Sequence, residues 1–446
     1  MARFAILSAL VLAAIFVTAP ARAAEGDCFV PIPGAPKDTD PAFHKARIAG
    51  CTELLRSELT PETRLQALGN RAQSYFYLHA YVRVLIDLQQ TMAIVPGAPE
   101  PIFDLGLAYQ SLGYSALALP RIDAGIRGGT NTASALANKA FAEAGLGKYE
   151  EAIADANLAL AKDNATTSAY AARAMSEEQL GQMSDAVQDF NKAIAGAPDE
   201  ATLYHYRGVA LYGLDRYREA LDDLDHADRL IANQNGHGFQ DEIRAILAAP
   251  ATPAPSVSDG SAPVRAVGRT HNCSAYFPYL PVQLGEHGDV TLRYDVSAAG
   301  TISNATVEQS SGNATLDRAA TICVNAHWRS TPAIQDGKPV ATQQRAKIVF
   351  AQDPSDLRLP MRAATLAALG RYDDAIAIYT KYLAQAPSDA DAYFRRGFLQ
   401  YLKADYAAAV NDFDKAVALK PDFDDAKAGR ELVPAGSPAR KPRQDI

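Results

Sequence analysis

Residues 167–200 read TSAYAARAMSEEQLGQMSDAVQDFNKAIAGAPDE, a stretch of 34 residues whose small and aromatic positions return elsewhere at the same interval. Ala118, Ala152, Ala186 and Ala220 stand 34 apart, and in the same phase come Gly106, Ala140, Ala174 and Gly208. Ala159, Ala193 and Ala227 keep the step. After a break the register resumes with Ala375 and Ala409, accompanied by Ala363 and Gly397. Such a period marks a repeat architecture. Small residues at fixed points let two antiparallel helices approach closely, while larger apolar residues at helical spacing fill the space between them. Short turns separate the helices at Leu146-Gly147-Lys148-Tyr149, Gly181-Gln182 and Leu369-Gly370-Arg371-Tyr372. Pro96, Pro198, Pro387 and Pro421 fall where a second helix must end.

Tyr170, Ala174, Ala186, Phe190, Ala193 and Pro198 make one unit, and Tyr393, Gly397, Ala409, Phe413, Ala416 and Pro421 make another. This pattern resembles the tetratricopeptide (TPR) repeat. Five units run from about Leu65 to Gln234 and two from about Asp356 to Phe423, with Asp424–Leu432 as a terminal solvating helix. The first is degenerate, carrying Val84 and Leu88 at its Ala and Phe positions. The resemblance implies stacked helix pairs with a concave groove for peptides or proteins. It places Phe141, Met175, Glu178, His205, Val209, Tyr212, Phe394, Phe398 and Tyr401 on the inner face. They differ from the Lys/Asn/Arg set that would clamp a C-terminal carboxylate. The competing reading makes several of them core between neighbouring helices.

Between the fifth and sixth units the helical period stops. Ala248 to Ser256 is a proline-rich linker that cannot propagate helix. Val290, Leu292, Tyr294 and Val296 then alternate with Thr291, Arg293 and Asp295 as a strand. Ala298-Ala299-Gly300 makes a turn, Ile302–Val307 a partner strand, Leu316–Trp328 a helix, and Lys347-Ile348-Val349-Phe350 a closing strand. Cys273, Tyr276-Phe277-Pro278, Gly288, Gly300, Ser310-Ser311-Gly312 and Leu316-Asp317 fall in order. Ala319-Ala320, Cys323, Trp328, Pro332-Ala333, Gly337-Lys338-Pro339-Val340 and Phe350 complete the series. The segment resembles the C-terminal domain of the TonB family over roughly 80 residues. Ser330 departs from the family pattern, which puts an aromatic or apolar residue there. The resemblance implies a small α+β domain with two or three antiparallel strands and a helix on one face. It also implies capture of a receptor segment by strand addition at an exposed edge, here the last strand near Gln343–Phe350, with Lys347 and Val349.

The expected fold class is therefore an α-helical TPR solenoid of about seven repeats interrupted by a small α+β TonB C-terminal-like domain. The expected divisions are a signal peptide (1–23), an N-terminal segment (24–64), repeats (65–248) and a linker (249–262). The TonB-like domain (263–352), further repeats with a capping helix (353–432) and a disordered tail (433–446) follow.

The chain has 446 residues, a net charge of −8 and 48% hydrophobic residues. An acidic chain without a Lys/Arg block is a poor nucleic-acid binder. Arg3 precedes an apolar run from Phe4 to Val17, and Ala21-Arg22-Ala23 supplies a cleavage signal. That run is shorter than the ~20 residues a spanning helix needs, so a cleaved leader is expected rather than a membrane anchor. Glu25-Gly26-Asp27 before Cys28 does not fit a lipoprotein signal. Cys28, Cys51, Cys273 and Cys323 are the only cysteines; four allow three connectivities, and local pairing, Cys28–Cys51 and Cys273–Cys323, is the economical one. The TonB resemblance also implies the second pair.

No metal, cofactor or catalytic constellation is expected. The eight histidines lack metal-ligand spacing. Gly145-Leu146-Gly147-Lys148 lacks the spacing of a phosphate loop, and no G-x-S-x-G occurs. Asp222, Asp223, Asp225 and Asp228 read as a solvated helix face. The functional expectation is a periplasmic, non-enzymatic scaffold for protein or peptide partners, outer-membrane receptors among them. The alternative is a TonB-family energy transducer anchored by an uncleaved N-terminal helix. Sequencing the N-terminus of the exported protein separates the two: the leader reading expects Ala24-Glu25-Gly26, whereas an intact start in the membrane fraction selects the anchor.

Overall fold

A computed structural model describes residues 27–30, 40–231, 238–248, 262–266, 273, 276–277, 279–350, 359–434 and 437. The expected leader (1–23), nearly all of the linker (249–262) and most of the tail (433–446) lie outside these residues. The described chain is mostly helical with one small sheet region, an α-helical repeat array interrupted by an α+β domain. It forms two compact units. One joins the residues up to Leu146 with those from Leu359 onward, and the other covers 147–357.

The first unit begins with α1 (Pro41–Leu54), then α2 (Pro61–Tyr77), α3 (Tyr81–Ile94), α4 (Pro99–Ser111), α5 (Ser115–Arg127) and α6 (Ala133–Gly145). Its later part is α15 (Leu359–Ala368), α16 (Tyr372–Gln385), α17 (Ala390–Leu402), α18 (Tyr406–Leu419) and α19 (Asp424–Leu432). Helix starts carry their own acceptors: the side chains of Thr132, Asp389 and Asp405 accept N–H groups of the first turn. The periodic alanines are fully buried, Ala118 and Ala409 among them. A side chain at Gly106 would come within 2.7 Å of Ile122, and one at Gly397 within 3.0 Å of Asp412. Val84 and Leu88 of the degenerate unit are core residues. The disulfide Cys28–Cys51 ties Cys28 to α1. Arg47 and Asn70 both donate to the Cys28 carbonyl.

The two stretches of this unit, far apart in sequence, pack together. Helix α19 lies against α3. Arg83 pairs with Glu431 at 2.9 Å and Asp424 at 3.3 Å, and Asp425 accepts the Val82 N–H at the uncapped start of α3. A carboxylate there also meets the positive end of the helix dipole. In the interior the rings of Tyr114 and Phe398 are 5.2 Å apart, and at the surface Gln89 donates to the Tyr401 hydroxyl.

The second unit starts with α7 (Tyr149–Lys162), α8 (Thr167–Gln179), α9 (Met183–Gly196), α10 (Ala201–Gly213), α11 (Tyr217–Ile231) and α12 (Gly238–Ala248). The α+β domain follows: β1 (Arg265–Ala266), α13 (Tyr279–Leu284), β2 (Gly288–Val296), β3 (Ile302–Gln309) and α14 (Ala314–Ala326). It ends with β4 (Ser330–Thr331), β5 (Ala333–Gln335), β6 (Lys338–Val340) and β7 (Thr342–Phe350). The helix expected to run to Trp328 stops at Ala326, and Trp328 instead packs its indole edge-on to Tyr294.

A polar ladder accompanies the repeats. Arg173 grips Asp189 through two hydrogen bonds, at 2.5 and 2.9 Å, and gives its third arm to Asn157 of the preceding helix pair. Arg207 repeats this with Asp223 and Asn191, and in the first unit Arg396 does so with Asp412 and Thr380. Arg71 holds Asp87 and Thr52 in the same way. Each of Arg173, Arg207 and Arg396 also lies over the tyrosine one turn earlier, Tyr170, Tyr204 or Tyr393. The aspartates are almost wholly buried, so removing one strands a guanidinium. Asp189→Ala should lower unfolding stability by about 2–3 kcal/mol in urea denaturation. Glu53→Ala, which removes the exposed Arg56–Glu53 pair, should leave the midpoint unchanged.

Candidate functional site

The α+β domain is built on one antiparallel sheet in the order β3-β2-β7. The β2–β3 turn closes at Gly300, whose φ of +82° belongs to the left-handed region that glycine adopts without strain. Val290, Leu292, Tyr294 and Val296 of β2 turn inward with Ile348 and Phe350 of β7. Leu316, Ala320, Cys323 and Val324 of α14 are buried too, and α14 packs on β2 and β3. The Cys273–Cys323 disulfide fastens the entry segment to that helix. Ser330, the departure from the family pattern, is buried and pairs with Ala266 in a two-stranded ribbon.

Strand β7 pairs with β2 along its full length, Thr342 opposite Val296 through Phe350 opposite Gly288. Among the described residues nothing pairs with its other side. Every second residue of an antiparallel edge strand turns its N–H and C=O away from the sheet. The outward side chains of β7 are Gln343, Arg345, Lys347 and Val349. Gln343 donates to Asp295, Arg345 pairs with Glu308, and Lys347 pairs with Asp289 at 2.5 Å. Val349 stands 57% exposed, the most exposed large apolar residue described.

Within its unit the domain rests on the turns of the repeats. Gly147 has a φ of +77° and would place a side chain 2.6 Å from Leu280; Gly181, at +74°, would collide with Ile322. Asp215 occupies the next equivalent turn, also at positive φ, 3.6 Å from the ring nitrogen of buried His327. The Tyr276 hydroxyl donates to the Gly213 carbonyl at 3.1 Å, and Arg318 pairs with Glu150 at 2.7 Å. These contacts were not foreseen in the sequence. The turn glycines stand out there, but no linear pattern says which side of a turn another domain will cover.

The residues expected to line a groove divide. In the first unit Phe141, Phe394 and Phe398 are core: Phe398 is 0% exposed against Tyr114, and Phe394 sits among Phe398, Phe413 and Phe423. Their apolar bulk is satisfied inside the protein, so in this conformation they offer no surface. Tyr401 is half-buried. In the second unit Tyr212 is buried edge-on to Tyr217, Met175 and Val209 are half-buried, and His205 is exposed. Glu178 is buried, and loss of hydration pushes its carboxyl from the ordinary 4.5 up to about 7. Among the described residues no helix is long and apolar enough to cross a membrane.

Residues 274–351 match the model of the Gram-negative bacterial TonB protein C-terminal domain. Residues 356–399 and 390–423 match two tetratricopeptide-repeat models. Among solved structures, MamA from Desulfovibrio magneticus is 18% identical over 39% of this chain and 98% of that one, with a TM-score of 0.32. YrrB, described as a TPR protein with an unusual peptide-binding site, is 16% identical over 44% of this chain and 97% of that one, at 0.33. A TPR protein of Thermus thermophilus is 22% identical over 38% and 92%, at 0.31. A comparison with curated proteins gives no match.

The raised carboxyl makes a checkable statement. Between pH 4.5 and about 7 the folded state keeps a proton on Glu178 that the unfolded chain has lost, so stability falls as pH rises through that window. Glu178→Gln should remove this fall and gain up to about 3 kcal/mol above pH 7, with no gain below pH 4.5, in denaturation curves across the range.

Proposed function

We propose that this tetratricopeptide-repeat protein, with a TonB C-terminal domain set between its repeats, is a non-enzymatic protein-binding scaffold of the Gram-negative cell envelope. It works in the periplasm and captures an extended segment of a partner, an outer-membrane receptor in the fullest form of the reading, by adding it to strand β7. The observation that carries this is the unpaired side of β7, nine residues long, in a domain fastened to the repeat turns. Backbone groups on such an edge supply affinity, and the outward side chains of alternate residues supply selection. Arg345, Lys347 and Val349 would meet the outward side chains of an added strand, which favours a segment with apolar and acidic positions. Two disulfides support an oxidising compartment, as does the leader-like start of the chain.

The repeats then act in two ways. In the second unit they carry the sheet and leave Met175, His205 and Val209 as a secondary contact surface. In the first, Phe394 and Phe398 serve closure of the array rather than capture. The division of the chain follows the same lines, with 263–352 as the capturing domain between repeats 65–248 and 353–432.

A photo-crosslinking residue placed at Val349, compared with one at the exposed Leu158 on a repeat helix, tests the reading in periplasmic extracts. Partner adducts should form from position 349, and Lys347→Glu should weaken them severalfold without changing the melting temperature. Adducts that form from His205 or Met175 and never from position 349 would move capture to the repeats and leave the sheet a structural insert.

A further inference from the structure

Where the α+β domain meets the repeats of its own unit there is a cavity of about 230 Å³. The repeats contribute Tyr149, Glu150 and Glu178 to its lining, and the domain contributes Tyr276, Phe277 and Arg318. This volume is below the ~300–1,000 Å³ of sites that hold drug-sized ligands, so it suits a group the size of one side chain.

The charges around it are unequally matched. Arg318 is engaged by Glu150 at 2.7 Å. Glu178 has no cation: among the described residues its carboxylate takes one hydrogen bond, from the Gln179 amide at 3.1 Å. Glu178 is only 7% exposed, and a buried carboxylate held by one neutral donor is electrostatically incomplete. Burial has accordingly shifted it toward its neutral form. The rings of Tyr149, Tyr276 and Phe277 line the cavity, and aromatic rings favour a positive group over an anion. With Glu150 occupied, too few oxygens remain for a hard divalent cation, which asks for six or more.

We propose that this cavity is a binding site for an organic cation, an ammonium or guanidinium group seated against Glu178 beside the rings of Tyr149, Tyr276 and Phe277. The group belongs either to a free small amine or to a lysine or arginine side chain of a polypeptide. The inference is separate from strand addition at β7, and its failure would leave that reading standing.

Calorimetric titration of the intact protein tests it, with n-butylamine and agmatine as cations, n-butanol as the neutral counterpart and a blocked Ala-Lys-Ala peptide as the polypeptide source. The amines should bind and n-butanol should not. Glu178→Gln should weaken the amines about tenfold or more. Ala314→Phe, which fills the cavity from an exposed lining position, should do the same without touching Glu178. A peptide bound at least about tenfold more tightly than n-butylamine identifies a side chain as the natural occupant, and equal or weaker binding identifies a free amine. No heat from either amine at roughly ten-millimolar concentration, equal binding of n-butanol, or unchanged affinity in both folded variants overturns the proposal.

Discussion

At Gly106, Gly208 and Gly397 the two helices of a repeat lie so close that a methyl group would press on Ile122, Leu224 or Asp412. The polar ladder depends on that approach. Arg71, Arg173, Arg207 and Arg396 each immediately precede the small residue of their helix, Ala72, Ala174, Gly208 or Gly397. Each aspartate immediately precedes the large apolar residue opposite, Leu88, Phe190, Leu224 or Phe413. Small-against-large packing thus sets the separation at which a guanidinium and a carboxylate meet with two hydrogen bonds. A wider gap would leave both ions buried and poorly matched, which is strongly destabilising. The arginine's third arm then reaches the preceding helix pair. One side chain therefore joins the packing within a repeat to the packing between repeats.

The repeat itself was plain in the sequence because helix-pair packing is a local constraint. Ala186 and Ala220 recur since nothing larger fits, and a 34-residue step shows them without any structure. The α+β domain was legible for a related reason. Its β2 strand alternates cleanly, and a sheet with one covered face imposes that alternation on every such strand. The ladder was equally present, as a charged pair 16 residues apart, yet a periodic Arg reads as a solvated helix face until its partner's burial is known.

Two features had no linear signature. The contact of Phe398 with Tyr114 joins residues more than 280 positions apart. A groove residue and a core residue look identical in the sequence when both are aromatic and both recur at helical spacing. Burial decided between them, and it placed Phe141, Phe394 and Phe398 in the core while leaving His205 exposed. The seating of the α+β domain was hidden similarly. Gly147 and Gly181 are needed for their positive φ, and the same lack of a side chain leaves space that Leu280 and Ile322 occupy. A turn glycine announces its backbone; it does not announce what packs against it.

That seating changes what an edge strand can do. An edge in a freely tethered domain must be oriented each time a partner arrives, and the freedom lost is subtracted from the gain of pairing. Here α14 is held on both sides. Its inner face covers the sheet, while Arg318 and Ile322 fix its outer face to Glu150 and Gly181. The Cys273–Cys323 bridge ties Cys273 to α14, and the Tyr276 hydroxyl donates to the Gly213 carbonyl. Orientation of β7 is therefore settled during folding, before any partner is met. An edge so held is also the one most exposed to self-association. Its outward charges, Arg345 and Lys347 held by Glu308 and Asp289, are the kind of side chains that discourage identical strands from pairing. The residues that would select an acidic segment under the proposed reading would thus also oppose pairing with a second copy of β7.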